Sequence, residues 1–229
     1  MTLLLLTRPD AQSRAFALDC RAAGWTGDIA ISPLIEIEAR HLTADLSPYA
    51  ALIFTSINGV ESVAAQTDLT GKLAIAVGGA TAQRAEQAGM TAIAADGTAE
   101  SLIAMLLADP PATPLCHLRG AHARVDLSER LTAHGLPTDA FIVYDQHARA
   151  LSPEAVALLR GPGPIIVPLF SPRSAVLMAA ACKGSTAQLL PVAISAAAAA
   201  AWDRPETPIV AARPDSAAML AAVLAGTIS

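Results

Sequence analysis

Short apolar runs that alternate with amphipathic segments of helical length are the feature that most constrains the fold of this chain. The runs include TLLLLT, AALIFTS, KLAIAVG, PLCHLRG and PIIVPLF, and a stretch with helical periodicity follows each of them. Such alternation is typical of βα units, in which helices cover a parallel sheet. Gly24, Gly89 and Gly135 follow three of the helical stretches, as expected of helix C-termini. The pattern predicts an α/β protein with parallel sheets.

Three local boundaries are predicted from the same pattern. Residues 28–38, DIAISPLIEIE, are expected to form a strand. Pro9 is expected to be the first residue of the first helix, because proline is well suited to that position. A further helix is expected to start at Gly59, and the alanine run 196–201 is expected to form a helix packed closely on a sheet.

An internal echo suggests that the chain contains two similar α/β units. LLLLTRPDAQSRAFALDCRAAG has the layout of LCHLRGAHARVDLSERLTAHG, LIFTSINGV matches PLFSPRSAV, and LAIAVGGATAQRA matches LPVAISAAAAAAW. The order of these segments predicts that domain one consists of residues 1–34 plus 150–229, and that domain two, residues 42–142, is inserted into it. Linkers 35–41 and 143–149 would cross between the domains as two strands, and we expect the ligand to bind in a cleft between them.

Composition excludes several classes of partner. The formal net charge of −5 argues against nucleic-acid binding, which needs a basic excess. Charged residues interrupt every apolar run before it reaches membrane-spanning length, and the first ten residues lack the basic n-region of a signal peptide. Cys20, Cys116 and Cys182 are widely spaced and form no CxxC motif. We therefore expect a cytoplasmic protein with no membrane span.

Hydroxyl side chains, glycines and arginines recur where predicted strands end. In parallel sheets these loops line the binding crevice, and the helix after each strand begins there with unpaired N–H groups. Any single serine or threonine in such a loop is ordinarily a helix N-cap, so the repetition carries the argument. The predicted anion-binding residues are Thr7, Arg8, Arg14, Thr55, Ser56, Asn58, Gly78, Gly79, Thr81, Arg119, Gly120, Ser171, Arg173 and Ser195.

Other chemistries lack their motifs in this sequence. The five histidines form no HExxH arrangement, so no metal site is predicted. VGGATA lacks the GxGxxG spacing of a dinucleotide loop, and neither GxxxxGK[ST] nor GxSxG occurs.

Together these segments resemble the uroporphyrinogen-III synthase family. The resemblance is carried by LLTRP, LIFTSINGV, AVGGATA, RGAHARVDLSERLTAHG followed by VY, and PLFSPRSA, in this order over nearly the whole chain. It implies two flavodoxin-like domains joined by a two-strand linker, with a cleft between them. It also implies cyclisation of hydroxymethylbilane to uroporphyrinogen III, with loss of water, inversion of ring D through a spiro intermediate, and no cofactor.

The resemblance also implies roles for individual residues. Tyr144 matches the tyrosine beside the second linker, which would hydrogen-bond or protonate the departing hydroxyl. Ser56 and Thr81 match hydroxyls of the family's cleft, and Ser171 matches its second serine loop. This chain has Ala123 where many members have a second glycine, and Ala198 where a threonine is usual, so Ser195 and backbone N–H groups become the expected contacts there.

Two alternatives remain open at this point. One is a non-enzymatic two-domain anion-binding or regulatory module, which would use the same loops without a reaction. The other is a nucleotide-sugar transferase, which the missing nucleotide loop and acidic metal motif disfavour. We expect a monomer that acts on a small molecule.

Overall fold

The structure is a computed structural model that describes residues 2–122 and 126–226, in which strands and helices alternate. The strands are β1 (Leu3–Leu6), β2 (Ile29–Ile31), β3 (Ile35–Ala39), β4 (Ala51–Phe54), β5 (Leu73–Ala76), β6 (Thr91–Ala94), β7 (Leu115–Gly120), β8 (Thr138–Ala148), β9 (Pro164–Leu169), β10 (Gln188–Ala193) and β11 (Ile209–Val210). The helices are α1 (Asp10–Ala22), α2 (Ile57–Ala64), α3 (Gly79–Gln87), α4 (Ala99–Ala108), α5 (Leu127–Ala133), α6 (Pro153–Arg160), α7 (Pro172–Ala181), α8 (Ala196–Ala200) and α9 (Ser216–Ala225).

These strands form two sheets with the orders β11-β10-β9-β1-β2 and β3-β8-β7-β4-β5-β6. All pairs from β11 to β2, and all pairs from β8 to β6, are parallel. The edge strand β3 is antiparallel to β8. The Arg40 N–H donates to the Val143 carbonyl and the Arg149 N–H donates to the Leu34 carbonyl, so residue numbers rise along one strand as they fall along the other. The predicted α/β class with parallel sheets is confirmed.

The chain divides into two units, each with its own sheet. Unit 1 comprises Met1–Glu36 and His147–Ser229, and unit 2 comprises Ile37–Gln146. The divisions fall inside the two segments predicted as linkers. A cleft between the two domains stays a prediction.

The internal echo of the sequence corresponds to an equivalence of strand positions. If β9, β10 and β1 of unit 1 are matched to β4, β5 and β7 of unit 2, as the repeated segments indicate, the order β11-β10-β9-β1-β2 becomes β6-β5-β4-β7-β8. This is the observed order of the second sheet without its edge strand β3. The two units therefore share one strand arrangement. Its first strand in chain order is β1 in unit 1 and β4 in unit 2, and these two strands are not equivalent.

Helices cover both faces of each sheet, so each unit has two apolar layers. In unit 1, α1 and α9 pack on one face and α6, α7 and α8 on the other. In unit 2, α2 and α3 pack on one face and α4 and α5 on the other. The alanine run forms α8 as predicted, and Ala198 is fully buried in the core, where a larger side chain would keep the helix away from the sheet.

Three predicted boundaries need correction. The strand predicted over residues 28–38 is two strands in different sheets, β2 and β3, because Pro33 interrupts it and lacks the N–H that a ladder needs. Helix α2 begins at Ile57, before Gly59, since Ser56 caps it. Pro9 is the N-cap residue of α1 and not its first helical residue.

His117 in β7 is a polar residue buried within unit 2. Its side chain is 1% exposed, and neither ring nitrogen has a hydrogen-bond partner among the described residues. Burial and the nearby Arg119 guanidinium lower its pKa from 6.5 to about 4, against an opposing contribution from Asp126. The imidazole is therefore neutral in the folded state at neutral pH.

We predict that His117 makes unit 2 acid-sensitive. Below pH 6.5 the unfolded chain takes up a proton that the folded state resists until about pH 4, so stability falls as the pH drops through this range. At pH 5 the loss should be about 2 kcal/mol for this group. Urea unfolding of the parent and of His117→Leu, at pH 7.5 and pH 5, measures it.

The His117→Leu variant should lose about 2 kcal/mol less than the parent between these pH values. The control is His41→Leu, because His41 is exposed and its replacement should leave the parent profile unchanged. Equal pH profiles for the parent and the His117 variant would contradict the assignment.

Candidate functional site

Each sheet has a point at which its chain reverses the direction of winding. In unit 1 this switch point lies between β9 and β1, and in unit 2 it lies between β4 and β7. In doubly wound sheets ligands bind outside the carboxyl ends of the strands at such points, where the flanking loops leave in opposite directions. A predicted anion-binding residue is therefore expected to lie beside the switch point of its unit.

Tyr144 is the centre of the polar cluster at the switch point of unit 2. It lies in β8 and is 4% exposed, packed on the face covered by α2 and α3. Burial raises the pKa of its phenol, and hydrogen bonding with Ser56, Asn58 and Gln146 partly offsets this rise. These three residues are half-buried, so the hydroxyl lies where the core meets the surface. We refer to these four side chains as the tyrosine cluster.

Local structure at the start of α2 fixes two members of the tyrosine cluster. Ser56 has an extended backbone, and its Oγ accepts a hydrogen bond of 3.2 Å from Asn58 N–H. This is an N-cap, and it places both side chains directly after β4, next to β7 and β8. Ser56 thus has the N-cap role that is ordinary for a serine in such a loop, and Thr55 beside it is exposed.

Gln146 is the member of the tyrosine cluster that sequence reasoning missed. It follows Tyr144 by two positions in β8, so the two side chains lie on the same face of the strand. That spacing is the only signal in the sequence that could have identified it.

The loop after β5 supplies backbone groups in place of side chains. Gly78 is the N-cap of α3, so no side chain caps this helix. A Cβ atom built on Gly79 would meet nothing within 4 Å. The predicted Thr81 lies in the first turn of α3 and is buried. In β7, the Arg119 guanidinium donates to the Gly120 carbonyl oxygen at 3.2 Å.

Arg8 is the main charged group at the switch point of unit 1. It is half-buried directly after β1, with its guanidinium carbon 4.2 Å from the centroid of the Phe170 ring. Phe170 follows β9 and makes an edge contact with Phe16 at 5.0 Å between centroids. Burial lowers the pKa of Arg8 to about 10. Within residues 2–122 and 126–226, no carboxylate forms an ion pair with Arg8.

Three hydroxyl side chains follow neighbouring strands of unit 1 at the carboxyl edge where Arg8 lies. Thr7 is 1% exposed, and its Oγ1 has no hydrogen-bond partner among the described residues. Ser171 forms a reciprocal capping box with Ser174 at the start of α7. Ser195 caps α8 after β10, the next strand of the sheet. The carboxyl ends of β1, β9 and β10 therefore bring these three hydroxyls to one edge.

The arginines predicted for this edge differ in their surroundings. Arg14 is exposed and pairs with Asp10 at 2.6 Å, a surface ion pair of little energetic weight. Arg173 is half-buried at the start of α7. Ala123, which stands where the resemblance implies a glycine, lies outside the described residues.

Two further features of the described residues bear on the class of protein. None of these helices is both long enough and apolar enough to cross a membrane. No group of three or more His, Cys, Asp or Glu side chains in this part of the chain is arranged to hold a metal ion.

Comparisons with known proteins point to one family. The family model described as uroporphyrinogen-III synthase HemD matches residues 15–221, which is most of the chain. Among solved structures, the uroporphyrinogen-III synthetase of Helicobacter pylori 26695 is similar, with a TM-score of 0.63 and 18% identity over 98% of this chain and 99% of that chain.

A mutant uroporphyrinogen III synthase from the extremely thermophilic bacterium Thermus thermophilus is also similar. Its TM-score is 0.54, with 15% identity over 99% of this chain and 98% of that chain. At such identities, the likeness to the two structures establishes a shared fold. No curated protein sequence matches the chain.

The burial of Arg8 without a carboxylate predicts a cost in stability. Arg8→Met should raise the free energy of unfolding by about 1 kcal/mol, because a desolvated cation is removed and the apolar stem is kept. The expected gain in the free energy of unfolding is small because Arg8 is partly exposed and because the substitution removes its contact with the Phe170 ring. Urea unfolding at pH 7.5 measures the change.

Arg14→Met is the matched control six residues later in the same segment. Its ion pair with Asp10 is exposed and contributes little, so this substitution should not stabilise the protein. Destabilisation by Arg8→Met would show that the guanidinium is part of the fold's own stability.

Proposed function

The chain belongs to the uroporphyrinogen-III synthase family of cyclising lyases in tetrapyrrole biosynthesis, and from this premise we propose its reaction and the residues that perform it. The substrate is hydroxymethylbilane, a linear tetrapyrrole that carries many carboxylates. Its terminal hydroxyl leaves as water after protonation, and the substituted carbon of ring D attacks the methylene carbon of the resulting electrophilic azafulvene to give a spiro intermediate. The spiro intermediate then fragments and recloses with ring D inverted, which gives uroporphyrinogen III.

Tyr144 is the proposed proton donor to the departing hydroxyl. Burial raises the pKa of its phenol above the ordinary value, so the group carries its proton at neutral pH, as a donor must. The tyrosine cluster supports this role, because Ser56, Asn58 and Gln146 fix the direction of the hydroxyl at the border of the core. Any buried hydroxyl needs one hydrogen-bond partner; three half-buried polar side chains around one phenol beside the switch point are the observation that carries the assignment.

Arg8 and the helix N-termini are the proposed carboxylate-binding groups. A buried guanidinium with no carboxylate from the described part of the chain offers its charge to a ligand, and Phe170 holds its plane. The starts of α2, α3 and α7 present unpaired N–H groups at the same edges of their sheets, and these groups bind anions. Thr7, Ser171 and Ser195 would add hydroxyl donors in unit 1.

The remaining loop residues are proposed as contacts of lower weight. Gly78 and Gly79 let a carboxylate approach the backbone of α3 closely, since Gly79 has open space where a side chain would lie. Thr55 lies in the loop after β4, Thr81 and Arg173 lie in the first turns of α3 and α7, and Arg119 lies near the carboxyl end of β7. Arg14 is the weakest of the predicted contacts, because Asp10 already binds it.

We also propose that the protein works in the cytoplasm as a monomer, without a nucleic-acid partner. Cys20, Cys116 and Cys182 are free and buried, as suits a reducing compartment. The exposed large apolar side chains of the described residues are spread over different elements of both units.

One prediction from the proposed function concerns the isomer of the product. Mixed with freshly generated hydroxymethylbilane, the protein should yield mostly the III isomer, because it must orient ring D to react first at its substituted carbon. Chromatography of the oxidised porphyrins separates the isomers. The I isomer alone, formed at the uncatalysed rate, would reject the enzyme and favour a binding module that uses the same loops.

Another prediction from the proposed function concerns the turnover of a Tyr144 variant. Tyr144→Phe should lower kcat by roughly 10- to 100-fold, since it removes the proton donor but keeps the ring, and by more than any single arginine change does. The chain has only two tyrosines, so Tyr49→Phe is a matched control. Tyr49 donates to Asp139 at 2.7 Å, outside the tyrosine cluster, and its loss should leave kcat unchanged. Parental turnover in Tyr144→Phe would refute the donor role.

A further inference from the structure

Two backbone features of unit 2 hold the ring of Tyr144 in place. The first is a shift in the pairing of β7 with β8. Arg119 lies opposite Ile142, but the next residue, Gly120, lies opposite Tyr144, so β8 contains one extra residue, Val143. We refer to this one-residue register shift as the bulge; like a β-bulge, such a shift re-aims the side chains beside it.

The bulge brings two successive residues to the same face of the sheet. In a regular strand Val143 and Tyr144 would point to opposite faces. Here both are buried in the apolar layer covered by α2 and α3. Without the shift, Val143 would lie opposite Gly120, and the phenol of Tyr144 would turn away from Ser56 and Asn58.

The second feature is the absence of a side chain at Gly120. A Cβ atom there would lie 2.6 Å from Cζ, 2.7 Å from Cε2 and 2.9 Å from the hydroxyl oxygen of Tyr144. The φ angle of Gly120 is outside the positive region, so the backbone itself would accept alanine. Glycine is needed at this position because the tyrosine ring occupies the space.

A second glycine borders the other edge of the ring. A Cβ on Gly59 in α2 would lie 3.8 Å from Cε1 of Tyr144 and 3.0 Å from the Leu118 carbonyl oxygen. The ring therefore lies between β7 and α2 with a glycine beside each edge. This leaves the phenol few positions, and the occupied one directs the hydroxyl to the tyrosine cluster.

We propose that Gly120 and the bulge at Val143 are positioning elements that aim the phenol of Tyr144 at the substrate. Gly120, predicted from sequence as a substrate contact, acts here through the tyrosine. The inference rests on the proposed function for its catalytic meaning. Its structural content concerns only the ring of Tyr144 and can be measured without substrate.

The test adds one methyl group beside the ring. In a Tyr49→Phe background Tyr144 is the only tyrosine, so NMR of 13Cζ-labelled tyrosine reports its ionisation alone. Gly120→Ala should push the ring toward solvent and lower the phenol pKa toward its ordinary value, because burial is the main cause of the rise. In the bilane assay kcat should fall at least about 10-fold while KM changes less than about 3-fold, as expected for loss of an aimed donor.

Gly226→Ala is the matched control in unit 1. A Cβ there would meet its nearest atoms at 3.5 Å, an ordinary contact, at a φ of −76°. It should leave the tyrosine signal and kcat at parental values. A Gly120→Ala variant that keeps both the parental phenol pKa and the parental kcat would overturn the proposal.

A double substitution separates this proposal from a general folding defect. In a Tyr144→Ala background the space beside Gly120 is free, so adding Gly120→Ala should not shift the urea midpoint further, whereas it should lower the midpoint when Tyr144 is present. An equal shift in both backgrounds would refute the contact. If Gly120→Ala moves the phenol but Tyr144→Phe keeps full turnover, positioning stands and the donor role fails.

Discussion

Parallel pairing of the strands is the constraint on which the rest of this structure depends. Because every pair from β11 to β2 and from β8 to β6 is parallel, all strands except β3 end at one edge of their sheet, and the following helices begin there. Polar loops can lie at that edge without breaking either apolar layer. The two switch points, β9/β1 and β4/β7, are equivalent positions in the two units, and the polar clusters occur at both.

The clusters consist of groups that a folding chain normally avoids burying. Arg8 keeps a half-buried charge without a carboxylate from the described residues, Thr7 has a buried hydroxyl without a partner, and Tyr144 has a buried phenol. Such costs are borne where function requires them. His117 shows the same kind of cost in the opposite layer of unit 2, where its described neighbours offer its ring nitrogens no hydrogen bond.

Much of the fold was predictable because apolar periodicity and helix stops are local signals. Glycine at 24, 89 and 135 has a φ of 95°, 86° and 84°, as a helix stop requires, and each of them was predicted from its place in the pattern. The strand break at Pro33 was missed, since the residues on both sides have equally good strand patterns and only the sheets distinguish them.

The candidate site was less predictable because it depends on register and burial. Arg8 and Arg14 are six residues apart in one segment. The i, i+4 spacing of Asp10 and Arg14 on a helix indicates their surface pair, but no sequence pattern tells that Arg8 packs on Phe170. The aim of Tyr144 depends on a one-residue shift between β7 and β8, which alternation alone does not encode. Gln146 lies two residues after Tyr144 in β8, so the same shift places its side chain on the face of the tyrosine cluster.

The central claim is that the switch point of each unit binds carboxylates of the tetrapyrrole. Titration of the 15N-labelled protein with uroporphyrin III, the stable oxidised form of the product, tests it most directly by NMR. We predict that the amide signals of Arg8 and Ser171 in unit 1, and those of Ser56 and Gly120 in unit 2, shift in proportion to the fraction of protein bound. Saturable binding that leaves the amides of either switch point unmoved would contradict the account.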